Sequence, residues 1–393
     1  MTESGFFPYR GIWVKENIMA MIQQRRFDIF DWSFFVVLFM IFGIGLLTIY
    51  SVTSTTPFSF AQMPLYLKQF FWILLGLVVF MFFATVDYHE IARFAYPLYV
   101  IAVILLILVL ATGRSIQGAQ RWVTFGAFAF QPSELAKVGT LLLLAKYFSD
   151  HPAGQGLNIQ KLFAPAGLLL IPTLLVLKQP DLGTALALLS IFFSIVFVIG
   201  LRSKFLIYLS LLSLMLIPFV GQILWGGLKE YQKDRILTFL NPAADPMGSG
   251  WHLIQSKIAI GSAGFWGKGM GGGTQSQLKF LPERATDFIF AVFAEEWGFR
   301  GVVILFILFI FLFWWGIDVA NKSKDLLGVF IAVGTVGLLS YYFLVNVGMA
   351  LGVLPVVGVP LPFVSYGGSA MVTNMGLLGL LLNIKLKRFV LFH

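Results

Sequence analysis

The chain has 393 residues, 59% of them hydrophobic and only 11% charged, with 42 Phe, no Cys and a formal net charge of +9. A water-soluble core cannot hide that much apolar surface, so composition points to a polytopic membrane protein. The lack of cysteine excludes disulfides, thiolate metal sites and cysteine nucleophiles. The basic residues are scattered over helix ends, which suits anionic lipid headgroups rather than nucleic acid.

Residues 1–31 form a polar segment with Arg10, Lys15, Arg25 and Arg26, unlike a cleaved signal. A spanning helix needs about 20 mostly apolar residues. Ten such runs are predicted: 32–52, 69–86, 94–111, 132–148, 162–178, 182–200, 205–225, 288–316, 326–350 and 366–386. Placing the N-terminus inside puts fourteen Lys and Arg on cytoplasmic segments against four on the short outer loops, so both termini are expected in the cytoplasm. The expected architecture is an all-α polytopic integral membrane protein. It comprises the segment 1–31, a ten-helix membrane domain over 32–386 and a short tail, 387–393. One large extracytoplasmic loop, 226–287, joins the seventh and eighth spans; its seven Lys and Arg do not disturb the orientation, because long loops escape the charge rule.

In chain order, the first polar feature is "GAQRWVTFGAFAFQPSELAK", Gly118 to Lys137. Arg121 reads either as an outer-face cation for phosphate or as an interfacial anchor. Pro132 suits the first helical turn and Ser133 its cap. Glu134 and Lys137, three apart, share a helical face and read as an ion pair facing the protein interior or a wet cavity. Next, "LKQPDLGTAL" sets Lys178 and Asp181 at the outer end of two spans.

The long loop contains "GSGWHLIQSKIAIGSAGFWGKGMGGG", with nine Gly between Gly248 and Gly273. Glycine lets backbone approach a ligand closely, although a plain surface loop has the same composition. "WHLIQSKIAI" is amphipathic enough for an interfacial helix. Asp287 stands where this loop becomes an apolar helix. It is either a partner of the helix dipole, with Thr286 as cap, or a base made stronger by desolvation between Phe288 and Phe290. Glu295 and Glu296 lie about two turns further on and read as a buried ion pair, with Arg300 neutralising one of them, or as a proton relay. The segment "GVLPVVGVPLPFVSYGGSA" holds Pro355, Pro360 and Pro362; backbone this irregular at membrane depth must be buried or line a cavity. The four His do not cluster, and no Ser-His-Asp set can be assembled.

Six stretches carry a family resemblance: "GAQRW", "FQPSELAK", "QPDLGTAL", "DPMGSGWHLIQSKIAIGSAGFWGKG", "GTQSQLKFLPERATDFIFAVFAEE" and "PLPFVSYGGS". In this order, over about residues 30–390, the chain closely resembles the SEDS family (shape, elongation, division and sporulation). "GTQSQLKFLPE" looks like its elongation branch, whereas Ala263 stands where members often have Gly. The resemblance implies a bacterial cytoplasmic-membrane glycosyltransferase. It would polymerise lipid II, a disaccharide-peptide on undecaprenyl diphosphate, into a growing glycan strand at the outer face. It also implies a class B penicillin-binding protein as partner. The family's catalytic aspartate falls on Asp287, and its Glu and Lys pair on Glu134 and Lys137.

Joined with the residues, this implies inverting transfer with Asp287 as general base. Arg121, Lys268 and Arg235 are the expected diphosphate partners, and Gln255 and Ser256 the expected holders of sugar and phosphate oxygens. Asp181, Glu283 and Thr286 are expected in support. No cofactor is evident, although Asp287 and Glu283 are placed to share a divalent cation, Mg or Mn, with a diphosphate. A lipid II flippase is the competing class, since intramembrane charge and irregular helices also suit transport. A scaffold that only recruits a synthase gives no reason for the acid.

Overall fold

The computed structural model describes residues 32–53, 63–112, 114–116, 119–125, 128–152, 157, 159–200, 233, 237–239, 241, 249–278, 280–281 and 283–387. The polar segment 1–31, the expected span 205–225 and Arg235 lie outside the described residues, as does most of the tail.

Among the described residues four helices precede a small sheet: α1 Trp32–Thr53, α2 Leu65–Thr85, α3 Tyr88–Arg93 and α4 Ala95–Thr112. The sheet consists of β1 Arg114–Ile116, β2 Ala119–Phe125 and β3 Phe128–Phe130, in that order and antiparallel throughout. It is a small addition to an otherwise helical chain. The stretch "RWVTF" is β-branched and aromatic, composition that favours a strand. Then come α5 Pro132–Asp150, α6 Ile159–Lys178, α7 Leu182–Ile199, α8 Ser249–Gly261, α9 Thr274–Gln277, α10 Ile289–Asn321, α11 Leu326–Leu351 and α12 Gly368–Lys387.

Among the described residues seven helices (α1, α2, α6, α7, α10, α11 and α12) are long and apolar enough to cross a membrane. Helix α4 is apolar but shorter, and α5 bears Glu134, Lys137, Lys146 and Asp150. The coarse expectation of a polytopic helical membrane protein therefore holds. Helix α11 is central, packing against α5, α7, α8, α10 and α12, while α12 lies along α2. Phe34 of α1 stacks on Trp315 of α10 with ring centroids 4.0 Å apart.

Among helices in lipid the hydrophobic effect supplies little attraction, so close packing and interhelical hydrogen bonds hold them together. Two fully buried amide side chains do this at helix ends. Asn383 of α12 donates to the carbonyls of Ala84 (2.9 Å) and Val86 (2.7 Å) and accepts from the Tyr88 amide (3.1 Å). It thus satisfies the backbone where α2 stops. Gln69 of α2 donates to the Ser365 carbonyl (3.1 Å) and accepts from the Gly367 amide (3.3 Å). That second clamp fixes the proline-rich segment before α12, whose irregular backbone needs partners at this depth.

Candidate active site

Asp287 is the penultimate residue of a turn, 283–288, that leads into α10. The cap of α10 is Phe288, which provides no side-chain hydrogen bond. Thr286 does not cap either: its hydroxyl donates to the Glu283 carboxylate (3.0 Å) and lies 3.2 Å from the Glu283 carbonyl. The capping role considered for Thr286 is therefore corrected.

What holds Asp287 is its backbone. Three successive carbonyls are received by groups from elsewhere in the chain. The Tyr366 amide donates to Ala285 O (2.8 Å), the Ser365 hydroxyl to Thr286 O (2.6 Å), and Asn346 Nδ2 to Asp287 O (2.9 Å). Asn346 is fully buried on α11 and also donates to Val359 O (2.7 Å). Ser365 accepts in turn from the Leu361 amide (2.8 Å). The proline-rich segment and α11 thus form a cradle behind the acid. Phe363 within that cradle sits at φ 64, an uncommon conformation for a bulky residue that its buried surroundings enforce.

The side chain of Asp287 is partly exposed, while its neighbours Phe288 and Phe290 are buried. Gly358, at φ 73, lies against it: a Cβ there would meet Asp287 Oδ2 at 3.3 Å. The acid is therefore fixed by its main chain, with its carboxyl group between apolar core and accessible surface.

Glu134 and Lys137 meet as expected. Lys137 Nζ lies 2.9 Å from Glu134 Oε1 and 2.8 Å from Oε2, and it donates to the Tyr342 hydroxyl of α11 at 2.6 Å. Both charges are buried, so this pair ties α5 to α11 within the bundle. Ser133 does not cap α5; its Oγ is buried and without a hydrogen-bond partner, while Pro132 does occupy the first turn.

Other expected residues lie elsewhere. Asp181 is the buried cap of α7, accepting from the Thr184 amide (3.2 Å) and hydroxyl (2.9 Å). Ser256 is fully buried and donates to Ala350 O (2.7 Å), joining α8 to α11; Gln255 beside it is also buried. Neither presents an open face for sugar oxygens. Lys268 binds Glu295 Oε1 at 2.8 Å, so its ammonium serves a carboxylate of the chain itself. Arg300, expected to neutralise Glu295 or Glu296, instead lies over the Trp266 ring, 4.8 Å from its centroid. Arg121 is in β2, but its side chain lies outside the described residues. Among the described residues no three His, Asp or Glu side chains converge to hold a metal.

Asn346, Ser365, Gly358 and Gln69 are the residues that sequence reasoning missed. Their signal was a polar side chain or a glycine in an apolar context, but nothing local says that their partners are remote carbonyls.

The family model described as FtsW, RodA and SpoVE, cell cycle protein, matches residues 31–389. The peptidoglycan glycosyltransferase MrdB of Escherichia coli (strain K12) is 43% identical over 320 residues, which is 81% of this chain and 85% of MrdB. The peptidoglycan glycosyltransferase RodA of Treponema pallidum (strain Nichols) is 33% identical, covering 91% of this chain and 98% of its own. A chain from a solved peptidoglycan synthase complex that coordinates polymerization and crosslinking is similar with a TM-score of 0.79. It is 35% identical and covers 92% of this chain and 98% of its own. The chain belongs to the FtsW, RodA and SpoVE family of cell cycle proteins.

Proposed function

We propose that the chain is a peptidoglycan glycosyltransferase that polymerises lipid II, with Asp287 as its general base. The names of its relatives support the reaction class. One observation supports the base: Asp287 is held through three consecutive backbone carbonyls, while the residue stays partly exposed beside Gly358. An acid whose main chain is over-determined and that still reaches the accessible surface suits proton transfer.

The chemistry follows from the substrates. The acceptor hydroxyl oxygen attacks the anomeric carbon of the donor, and the bond from that carbon to the diphosphate oxygen breaks. The bonding electrons leave with the lipid diphosphate, and the hydroxyl proton passes to Asp287. A single in-line displacement inverts an α-linked donor into a β-linked product. Fixing donor, acceptor and base together supplies much of the acceleration. Arg121 and Arg235 are the proposed diphosphate partners, because a guanidinium donates to two phosphate oxygens at once. Glu134 and Lys137 shape the interior behind the site.

The proposed topology has ten spans, cytoplasmic termini and the loop 226–287 on the outer face of the bacterial cytoplasmic membrane, where lipid II and the growing strand are met. A class B penicillin-binding protein is the proposed cross-linking partner, supported by the likeness to a complex that coordinates polymerization with crosslinking. Reconstituted protein given lipid II in the outer leaflet alone tests the reading: polymer is expected, whereas transfer of fluorescent lipid II without polymer means a flippase.

A further inference from the structure

Helix α10 is broken at Gly298 (φ 68, ψ −166). In an unbroken helix the amides of Phe299 and Arg300 would bond to the carbonyls of Glu295 and Glu296, four residues earlier. Here the glycine-rich segment takes all four groups. Phe299 N donates to Gly264 O (3.0 Å) and Arg300 N to Phe265 O (3.3 Å). Lys268 N donates to Glu295 O (3.0 Å) and Gly269 N to Glu296 O (2.9 Å). Gly267 and Gly298 face each other so closely that a Cβ on either would strike the other's backbone region.

Side chains fasten this clasp. Glu295 is fully buried and accepts from Lys268 Nζ (2.8 Å), Gln275 N (3.0 Å) and Ser276 N (3.2 Å). Lys268 also donates to Ser262 Oγ (2.7 Å) and Thr274 Oγ1 (3.0 Å). Glu296 Oε1 accepts from Gly271 N (3.1 Å) and from the Ser51 hydroxyl of α1. Arg284, three residues before Asp287, donates to Ser276 O. The turn bearing Asp287 is therefore reached from Glu295 by two routes. One runs back along the short helix 289–297, and the other runs through α9 and Arg284.

We propose that Lys268 and Glu295 are positioning residues for Asp287, their ion pair locking the glycine-rich segment into the break of α10 and so fixing the turn that presents the acid. This rests on Asp287 being the base. It gives Lys268 a role different from direct contact with the diphosphate, because its ammonium is shared among Glu295, Ser262 and Thr274. It also explains why two acids lie inside an apolar helix: they receive amides and an ammonium from the docked segment.

The test uses the full-length chain in detergent with lipid II as substrate, comparing Lys268→Met, Lys268→Arg and Glu295→Gln. Displacement of a reacting group by about 1 Å costs on the order of a hundredfold in rate. The expected result for Lys268→Met and Glu295→Gln is a kcat loss of about 10- to 100-fold with KM changed less than about threefold. The acidic limb of the kcat–pH profile moves in both, and Lys268→Arg keeps most of the rate. A raised KM at full kcat means that Lys268 binds the diphosphate directly, and it overturns the proposal; so does unchanged kcat. If Lys268→Met does not fold, Lys268→Arg and Glu295→Gln decide alone: equal losses, or none in either, overturn the proposal. An inactive Asp287→Asn beside fully active Lys268 and Glu295 variants removes only the positioning role. An active Asp287→Asn removes the base itself.

Discussion

Asn346 Nδ2 lies 2.9 Å from the main-chain carbonyl oxygen of Asp287 and 2.7 Å from that of Val359. One buried amide on α11 thus joins the turn bearing the acid to the proline-rich segment. Asn346→Leu leaves both carbonyls without this donor in a region poor in water. A buried polar group that loses its partner costs about 1–3 kcal/mol. The expected outcome is a folded protein with a lower unfolding temperature and kcat reduced by about tenfold or more. Melting in detergent and a lipid II polymerisation assay on the same sample check both halves.

Gly358 gives a sharper probe of space beside the acid. An alanine Cβ there would sit 3.3 Å from Asp287 Oδ2 at a φ of 73. The left-handed conformation costs a non-glycine residue about 1–2 kcal/mol. Gly358→Ala is expected to lower kcat by about tenfold through displacement of the carboxylate. Measured kcat and KM for lipid II decide it, since a pure stability loss would reduce active enzyme without moving KM or the pH profile.

The buried pair Glu134 and Lys137 includes Tyr342 as a third member, 2.6 Å from Lys137 Nζ. Removing one charge strands the other, at about 3–5 kcal/mol. Glu134→Ala and Lys137→Ala are each expected to lower stability strongly, whereas Glu134→Gln with Lys137→Met recovers much of it. A charge-swapped double variant is expected to recover less, because Tyr342 is oriented to accept from an ammonium on position 137. Thermal unfolding of the four variants tests this, and full recovery by the swap would contradict the role of Tyr342.

At the opposite end of the bundle, α3 is held by a charged cluster. His89 meets Asp87 through Nδ1 (3.0 Å) and Asp325 through Nε2 (2.6 Å), and Lys387 meets Asp87 at 3.2 Å. Burial pushes the Asp87 carboxyl up, but hydrogen bonds from His89 and Lys387, with the charge of Lys387, outweigh it and hold it below the usual range. A depressed folded-state value means stability present above the unfolded value of about 4, lost as pH falls through the folded one. The unfolding temperatures of the native chain and Asp87→Asn should therefore differ by a constant amount above about pH 4 and converge below it. A gap that persists at low pH would contradict this assignment.

Much of the framework was legible in the sequence because its signals are local. Apolar runs marked the helices, Pro132 marked the start of α5, and the spacing of Glu134 and Lys137 marked their ion pair. The position of Asp287 at the junction of loop and helix was also readable. The break at Gly298 was not, because "EEWGFRG" continues an apolar helical pattern and only docking of residues 264–269 rewards the interruption. For the same reason local spacing points to Arg300 as the partner of these acids, whereas Lys268, 27 positions before Glu295, pairs with Glu295. The clamps by Gln69, Asn346 and Ser365 bridge 296, 59 and 79 positions respectively. Periodicity carries no information about such pairs. Asn346 had one usable clue: an amide inside an apolar span must find a partner.

The central claim is that the Asp287 carboxylate accepts the acceptor's proton. The most direct measurement compares native protein, Asp287→Asn and Asp287→Glu, each purified with its fold checked by melting, for polymer formed from lipid II in detergent. The account predicts no glycan polymer from Asp287→Asn at unchanged stability, and slow polymerisation from Asp287→Glu, whose longer carboxylate reaches the hydroxyl from a displaced position. Glycan chains formed at the native rate by Asp287→Asn would contradict it.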